Sequence, residues 1–140
     1  MSTTVVAPHK SSLGMNANLA VLVIYIVMGV VSWIPYLGWV AWAVPIVFYV
    51  LEKYSGFVKF HAVQALAIGI IRAAFSILLT IFVWILTPKT YSDLLNYATG
   101  GWGAWTVLGG ISIVLGLAIT ALMIFMVITA WNYKQVELPI

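Results

Sequence analysis

The sequence predicts an all-α integral membrane protein that crosses the bilayer with four transmembrane helices. Of its 140 residues, 64% are hydrophobic and only 6% are charged, whereas a soluble domain carries about 25% charged residues. The apolar residues fall into four long runs that contain a single formal charge, Arg72. A helix of about 20 apolar residues crosses a hydrocarbon core of about 30 Å, so composition and segment length both favour a membrane bundle.

The first two runs form a close pair around a turn. Leu19–Ile34 ends at the sequence WIPYLGW, in which Pro35 and Gly38 indicate a tight turn. The second run, Trp39–Leu51, is short and carries Pro45, which we expect to kink the helix because proline removes a backbone donor. Counted from the turn it provides about 27 Å of helix, so we predict a full span. The alternative is a broken hairpin that dips into the membrane and returns.

The third and fourth runs are long. Phe60–Leu86 would measure about 40 Å as a helix, which predicts a strong tilt or an end outside the hydrocarbon. We expect residues 57–66 to form a short interfacial helix before the third span. Ala104–Trp131 is similarly long. The loop at 88–103 contains a capping-box pattern and predicts a second short interfacial helix.

Loop charges predict the side of the membrane that each segment occupies. An even number of spans places the N-terminal tail, the second loop and the C-terminal tail together, and these carry Lys10, Lys53, Lys59 and Lys134, against Lys89 on the other side. Because positive residues stay cytoplasmic, we predict a multi-pass protein with cytoplasmic tails at 1–18 and 132–140 around a single transmembrane domain at 19–131. We expect the N-terminal tail to be mostly disordered.

The composition excludes several functional classes. The net charge of +3 is too small to indicate nucleic-acid binding, and without cysteine there is no thiolate chemistry or cysteine-based metal site. Intramembrane catalysis needs a nucleophile with a base, or carboxylates with a metal, and the predicted spans contain no acid. We therefore predict no enzyme activity, no catalytic residues, and neither a metal nor a cofactor.

Polar side chains recur along one face of the third run. At about 100° per residue, His61 and Arg72 fall within about 20° of each other, with Gln64 on one side of that line and Ser76 and Thr80 on the other. Such a stripe faces protein or water rather than lipid. Arg72 has two interpretations: a charge that lines a path, or, as we favour, a side chain that reaches a lipid phosphate at the tail-side interface from about 8 Å inside the hydrocarbon.

The start of the same run predicts contacts with the interface and with neighbouring backbone. Phe57 and Phe60 should lie at the headgroup boundary, with Lys59 directed toward anionic lipid. We expect His61 and Gln64 to hydrogen-bond loop backbone or helix ends, because one histidine without Cys, Asp or Glu nearby is not a metal site.

Small residues recur every four positions on the fourth run, at Ser112, Gly116 and Thr120. Small residues at this spacing let helices approach closely, because packing drives helix association in lipid. We expect this face to contact helices of the same bundle, with self-association as the alternative. Four helices, one of them short, bury little surface, so a membrane-protein partner or a homo-oligomer is expected.

The stretch that joins the second and third runs resembles a known family. It contains a Glu-Lys pair, a short gap and the sequence FVKFHAVQ, and the C-terminus also matches. The matching positions are Glu52, Lys53, Phe57, Val58, Lys59, Phe60, His61, Ala62 and Gln64, with Ala130, Tyr133, Leu138, Pro139 and Ile140. They resemble small prokaryotic membrane proteins of unknown function that are grouped with the twenty-kilodalton component of the chloroplast inner-envelope import translocon. The resemblance covers nearly the whole chain, although the loop at 88–103 is longer here. The plastid relatives imply protein import through a membrane.

Two functions are compatible with these features. We predict a non-catalytic accessory or scaffold subunit of a larger membrane complex, in contact with membrane lipids. The alternative is a translocon-like element or small channel, whose path would be lined by the polar stripe. A channel wall needs polar stripes on more than one helix, and only the third run has one, which favours the accessory role.

Overall fold

In the part of the chain that the structure describes, four α-helices, one 3₁₀ helix and two short strands follow one another. This computed structural model describes residues 2–86, 92, 95 and 102–138. In chain order the elements are β1 (Thr3–Val5), α1 (Ala17–Trp33), the 3₁₀ helix (Leu37–Ala43), α2 (Val44–Leu51), α3 (Gly56–Leu86), α4 (Trp102–Trp131) and β2 (Lys134–Val136). The prediction of a mostly helical protein is confirmed.

The helices have two lengths. α3 has 31 residues and α4 has 30, which makes each about 45 Å long. Each contains a stretch long and apolar enough to cross a membrane, Gly56–Ile85 and Val107–Trp131. α1, with 17 residues, measures about 25 Å, and the 3₁₀ helix together with α2 reaches a similar length. The predicted interfacial helix at 57–66 is not separate, because α3 continues through it, and the one predicted at 88–103 falls almost entirely outside the described residues.

α1, the 3₁₀ helix and α2 form a hairpin, whose tip we define as Trp33–Trp39. Tyr36 adopts a left-handed φ of 66° there, and a Cβ on Gly38 would lie 2.7 Å from the Ser32 carbonyl oxygen. The structure does not show the predicted kink at Pro45. This proline lies in the first turn of α2, a position that favours proline, and the residues before it wind as a 3₁₀ helix.

The hairpin packs against the half of α3 that lies nearer the chain termini. A Cβ on Gly69 would lie 2.9 Å from the Cα of Trp42, so α3 and the 3₁₀ helix are in backbone contact there. The tip shares a cavity with Arg72 and Ser76, and α3 continues for roughly 15 Å beyond this level. The buried core lies in the same half of the bundle: Ala17, Ala20, Val21, Ile24, Tyr25, Met28, Ala41, Phe57, Val58, Ala62, Ala65, Ile68, Met126 and Ala130.

The two tails pair with each other. β1 and β2 are antiparallel, with Thr3 opposite Val136, and the N–H of Val6 donates to the Tyr133 carbonyl at 2.8 Å. The expectation of a mostly disordered N-terminal tail is therefore wrong: its backbone finds partners in the C-terminal tail, which lies far away in the sequence. We call the end of the bundle that carries both tails and the α2–α3 turn the tail end.

Candidate functional site at the tail end

Glu52, the residue that follows α2, is the centre of the tail end. Its side chain is only 1% exposed, and its carboxylate accepts hydrogen bonds from the N–H groups of Ser12, Tyr54 and Ser55 at 3.0, 3.0 and 2.9 Å. The hydroxyl of Ser11 donates a fourth. Two of the donors belong to the N-terminal tail and two to the α2–α3 turn, so this carboxylate joins the tail to the turn.

The surroundings of Glu52 keep it ionised. Burial by itself raises the pKa of a carboxyl group, but the hydrogen bonds from Ser11, Ser12 and Ser55 outweigh burial and lower the pKa of Glu52 to about 2, against 4.5 for an unperturbed glutamate. The carboxylate also precedes the N-terminus of α3, where the helix dipole favours negative charge. Three N–H groups converge on Oε1 and the Ser11 hydroxyl donates to Oε2, so both oxygens of Glu52 hold the tail and the turn.

Ser55 and His9 form a pair that resembles a nucleophile with its base. The Ser55 Oγ lies 2.6 Å from Nε2 of His9, whose Nδ1 lies 2.8 Å from the Ala7 carbonyl oxygen. Because a carbonyl only accepts, Nδ1 donates to it, and Nε2 of the neutral ring accepts from the Ser55 hydroxyl. However, Ser55 is only 2% exposed, and its oxygen accepts the N–H of Val58 at 3.2 Å as the N-cap of α3. The Ser55 oxygen is thus bonded both to His9 and to the start of α3, and the pair fastens the tail to that helix start.

His61 and Gln64 hold the C-terminal tail. Nε2 of His61 donates to the carbonyl of Lys134 at 3.2 Å, and the amide of Gln64 donates to the carbonyl of Val136 at 2.8 Å. Both carbonyls belong to β2, so the two side chains position the tail sheet on α3. These are the hydrogen bonds to neighbouring backbone that we expected from the sequence.

Phe57 lies in the core of the tail end. Its ring centroid is 4.7 Å from that of His61 and 5.5 Å from that of Tyr133, and its side chain is buried. The expected position at the headgroup boundary is therefore wrong for Phe57, because the folded tail covers this face of α3. Phe60, which is half-buried, meets His61 edge to face with centroids 5.4 Å apart.

The two motif lysines differ in their contacts. The exposed Lys53 contributes its backbone, whose N–H donates to the Ser12 hydroxyl at 2.9 Å. The ammonium group of Lys59 lies 5.5 Å from the ring centroid of Tyr49, a cation–π contact at the edge of the site.

The structure divides the predicted polar stripe. Arg72 and Ser76 border a cavity of about 220 Å³ at the hairpin tip, and the hydroxyl of Thr80 donates to the Ser76 carbonyl at 2.8 Å. Arg72 lies about 24 Å along α3 from its first residue. It is thus beside the hairpin tip, whereas we expected it to reach the tail-side interface.

The small residues of α4 are not packed. Ser112, Gly116 and Thr120 are exposed, and a Cβ on Gly116 would meet nothing within 4 Å. The hydroxyls of Ser112 and Thr120 donate to the carbonyls of Leu108 and Gly116, each at 2.8 Å. The expected contact of this face with helices of the same bundle is not formed by the residues that the structure describes.

Comparison of this chain with protein-family models, with curated proteins and with solved structures found no match. Among residues 2–86, 92, 95 and 102–138, no group of three or more His, Cys, Asp or Glu side chains could hold a metal.

The chemistry of the tail end is that of a joint, in which Glu52 fixes one tail and His61 with Gln64 fixes the other.

Sequence reasoning missed His9, Ser11 and Ser12 of the N-terminal tail and Ser55 of the α2–α3 turn, and it named Tyr133 only as a position of the family resemblance. One of these had a readable signal: Ser55, directly before Gly56 and the apolar run, has the position of an N-cap. The tail residues had none, because nothing local in the sequence HKSS indicates which distant acid or helix it binds.

Proposed function

We propose that this protein is a non-catalytic, multi-pass membrane protein that serves as an accessory or scaffold subunit of a larger membrane complex. The observation that carries the proposal is the exposed stretch of α4 between Val107 and Val114, where Val107 is 61% and Val114 is 66% exposed. A helix that belongs to a self-sufficient bundle buries one face along its length. α4 leaves this stretch open, and the small residues Gly109, Gly110 and Ser112 let a partner helix approach it closely.

Helix lengths and loop charges suggest how the chain lies in the membrane. α3 and α4 cross it, and the hairpin of about 25 Å crosses a core of about 30 Å that is slightly thinned around it. The tip exposes Trp33, Tyr36 and Trp39, and such aromatic residues favour the interface. An exposed turn is also excluded from the hydrocarbon. We therefore place the lysine-rich tail end, with both termini, in the cytoplasm and the tip at the far interface. In this placement α3, which continues for roughly 15 Å beyond the tip, projects past that interface.

The resemblance to the translocon-related family favours a place beside a protein-translocating assembly. The resemblance is supported by the shared structural role of its motif residues. Glu52 bonds the N-terminal tail, and His61 and Gln64 bond the C-terminal tail. The alternative, a channel or translocon-like path through the chain itself, is less well supported. The hydroxyls of Thr80, Ser112 and Thr120 donate to carbonyls of their own helices, so these three protons are not available to water along a path.

The bare face of α4 can be tested by site-specific cross-linking, because the chain has no natural cysteine. A single cysteine at Ser112 should cross-link in native membranes to a membrane protein or to a second copy of the chain. A cysteine at Val63, exposed on the tail-end half of α3, is the matched control and should not. Cross-linking from Val63 alone, or a monomer without cross-links, contradicts the accessory role. An ionic current through liposomes that contain only the purified chain would favour the channel alternative.

The orientation has its own test. A reporter that is active only in the cytoplasm should work when it is fused after Ile140 and fail when it is inserted near Ala98. The reverse pattern would show that the tail end faces away from the cytoplasm.

A further inference from the structure

Arg72 lies where two cavities of the bundle meet. The smaller cavity lies between the hairpin tip and α3, and the hydroxyl-bearing residues Ser32 and Ser76 border it together with Arg72. The larger one, of about 560 Å³, is a groove between α1 and α4. Trp33, Arg72 and Met123 border both cavities, and Arg72 is the only described residue of α3 that reaches the groove.

The guanidinium of Arg72 has no anionic partner among the described residues. Of the described acids, Glu52 precedes the first residue of α3, which lies roughly 24 Å from Arg72 along the helix, and it already has four donors. Glu137 borders a separate cavity with Gln64 and Ala67. A half-buried cation in apolar surroundings is stabilised by an anion that hydrogen-bonds it. Arg72 is therefore complementary to a negative group that approaches from outside the described chain.

The groove has the form of a site for an alkyl chain. Its walls include Leu22 and Ile26 of α1 and Leu117 and Ile124 of α4. Glycines also face the gap, and small residues normally let helices touch, yet the protein leaves the space in front of Gly116 open. The volume lies within the range of about 300–1,000 Å³ that is typical of ligand sites. Because Ile26 and Leu117 are exposed, the groove opens sideways to the surrounding bilayer.

We propose that this groove binds an anionic phospholipid of the bilayer, with the phosphate on Arg72 and one acyl chain between α1 and α4. A planar guanidinium donates two parallel hydrogen bonds to a phosphate. The headgroup then lies level with the hairpin tip, whose aromatic side chains favour the headgroup boundary. The chain runs from Arg72 toward the tail end, which is the direction in which a lipid of the tip-side leaflet points. The site needs only this chain and a bilayer, so it does not depend on a partner for α4.

Lipid titration of the purified, delipidated chain tests the proposal, with native mass spectrometry and thermal unfolding as readouts. The parent should retain one dioleoyl phosphatidylglycerol per chain and melt higher with it than with dioleoyl phosphatidylcholine. Arg72→Gln removes the charge and Gly116→Leu fills the groove, and each should weaken phosphatidylglycerol binding about ten- to a hundredfold. Two independent variants keep the test decisive if one of them folds poorly.

Matched controls separate this site from general effects of charge and bulk. Lys10→Gln removes an exposed positive charge at the tail end, and Gly110→Leu adds the same bulk to α4 where nothing lies within 4 Å and outside the groove lining. Both should bind phosphatidylglycerol like the parent. Equal losses in the controls and in the site variants would overturn the proposal, and so would equal binding of phosphatidylcholine by the parent.

Two further results would also overturn it. Binding of oleate without binding of phosphatidylglycerol would make a free fatty acid the occupant. Tighter phosphatidylglycerol binding by Asp93→Asn than by the parent would show that Arg72 already has an acid of this chain as its partner. The cysteine variants that test the proposed function lie outside the groove, so failure of one proposal leaves the other intact.

Discussion

Glu52→Gln removes the charge at the tail end and keeps the size of the side chain, and we expect it to release the N-terminal tail. The pKa of Glu52 is about 2 in the folded chain, against 4.5 for an unperturbed glutamate, and each pKa unit corresponds to about 1.4 kcal/mol. The donors around the carboxylate therefore contribute about 3 kcal/mol at neutral pH. Glutamine keeps one acceptor oxygen, but its NH₂ group cannot accept a hydrogen bond. The variant therefore loses either the bond from the Ser11 hydroxyl or the bonds from the backbone N–H groups.

The dependence on pH follows from the direction of the shift. Because the folded pKa lies below the unfolded one, the contribution is complete above about pH 4.5, decreases as the pH falls toward 2, and is absent below both values. The parent and Glu52→Gln should therefore differ most at neutral pH and converge near pH 2.

Amide hydrogen exchange in lipid nanodiscs measures this effect locally. The N–H groups of Ser12, Tyr54 and Ser55 donate to the carboxylate, so at pH 7 their protection factors should fall about a hundredfold in Glu52→Gln. Glu137→Gln removes an exposed carboxylate from the same end and is the matched control. Unchanged protection in Glu52→Gln at pH 7, or an equal loss in Glu137→Gln, would refute the reasoning.

Three other substitutions probe the helices and the second tail. His61→Ala should destabilise the chain by about 1–3 kcal/mol, because a carbonyl of β2 loses its donor, and an unchanged melting temperature would contradict this. Gly69→Ala should lower the melting temperature and the yield, because the added Cβ would lie 2.9 Å from the Trp42 backbone. The control Gly110→Ala adds a Cβ with nothing within 4 Å and should melt no lower than the parent. Arg72→Leu should insert and melt like the parent in lipid-free detergent, because the charge it removes has no partner among the described residues; unfolding of this variant would show that Arg72 holds the bundle together.

The helices could be predicted from the sequence because their cause is local. A long apolar run must satisfy its own backbone hydrogen bonds in lipid, and only a helix does so within one segment. The third run was predicted as Phe60–Leu86 and forms Gly56–Leu86. The turn at Pro35 and Gly38 could be predicted for the same reason, since proline and glycine act on their own backbone. Pro45 was misjudged because proline serves either as a kink or as a helix start, and the sequence does not decide between them.

The partners of the polar residues were decided by the tertiary structure. Ser11 and Glu52 are 41 residues apart, and His61 and Lys134 are 73 apart. Likewise, the spacing of Ser112 and Gly116 shows that a helix can approach α4 closely, but not which helix does so, and within the described chain none does. Periodicity and capping report forces between residues a few positions apart, whereas a hydrogen bond between a tail and a loop exists only after the helices have brought those segments to the same end of the bundle.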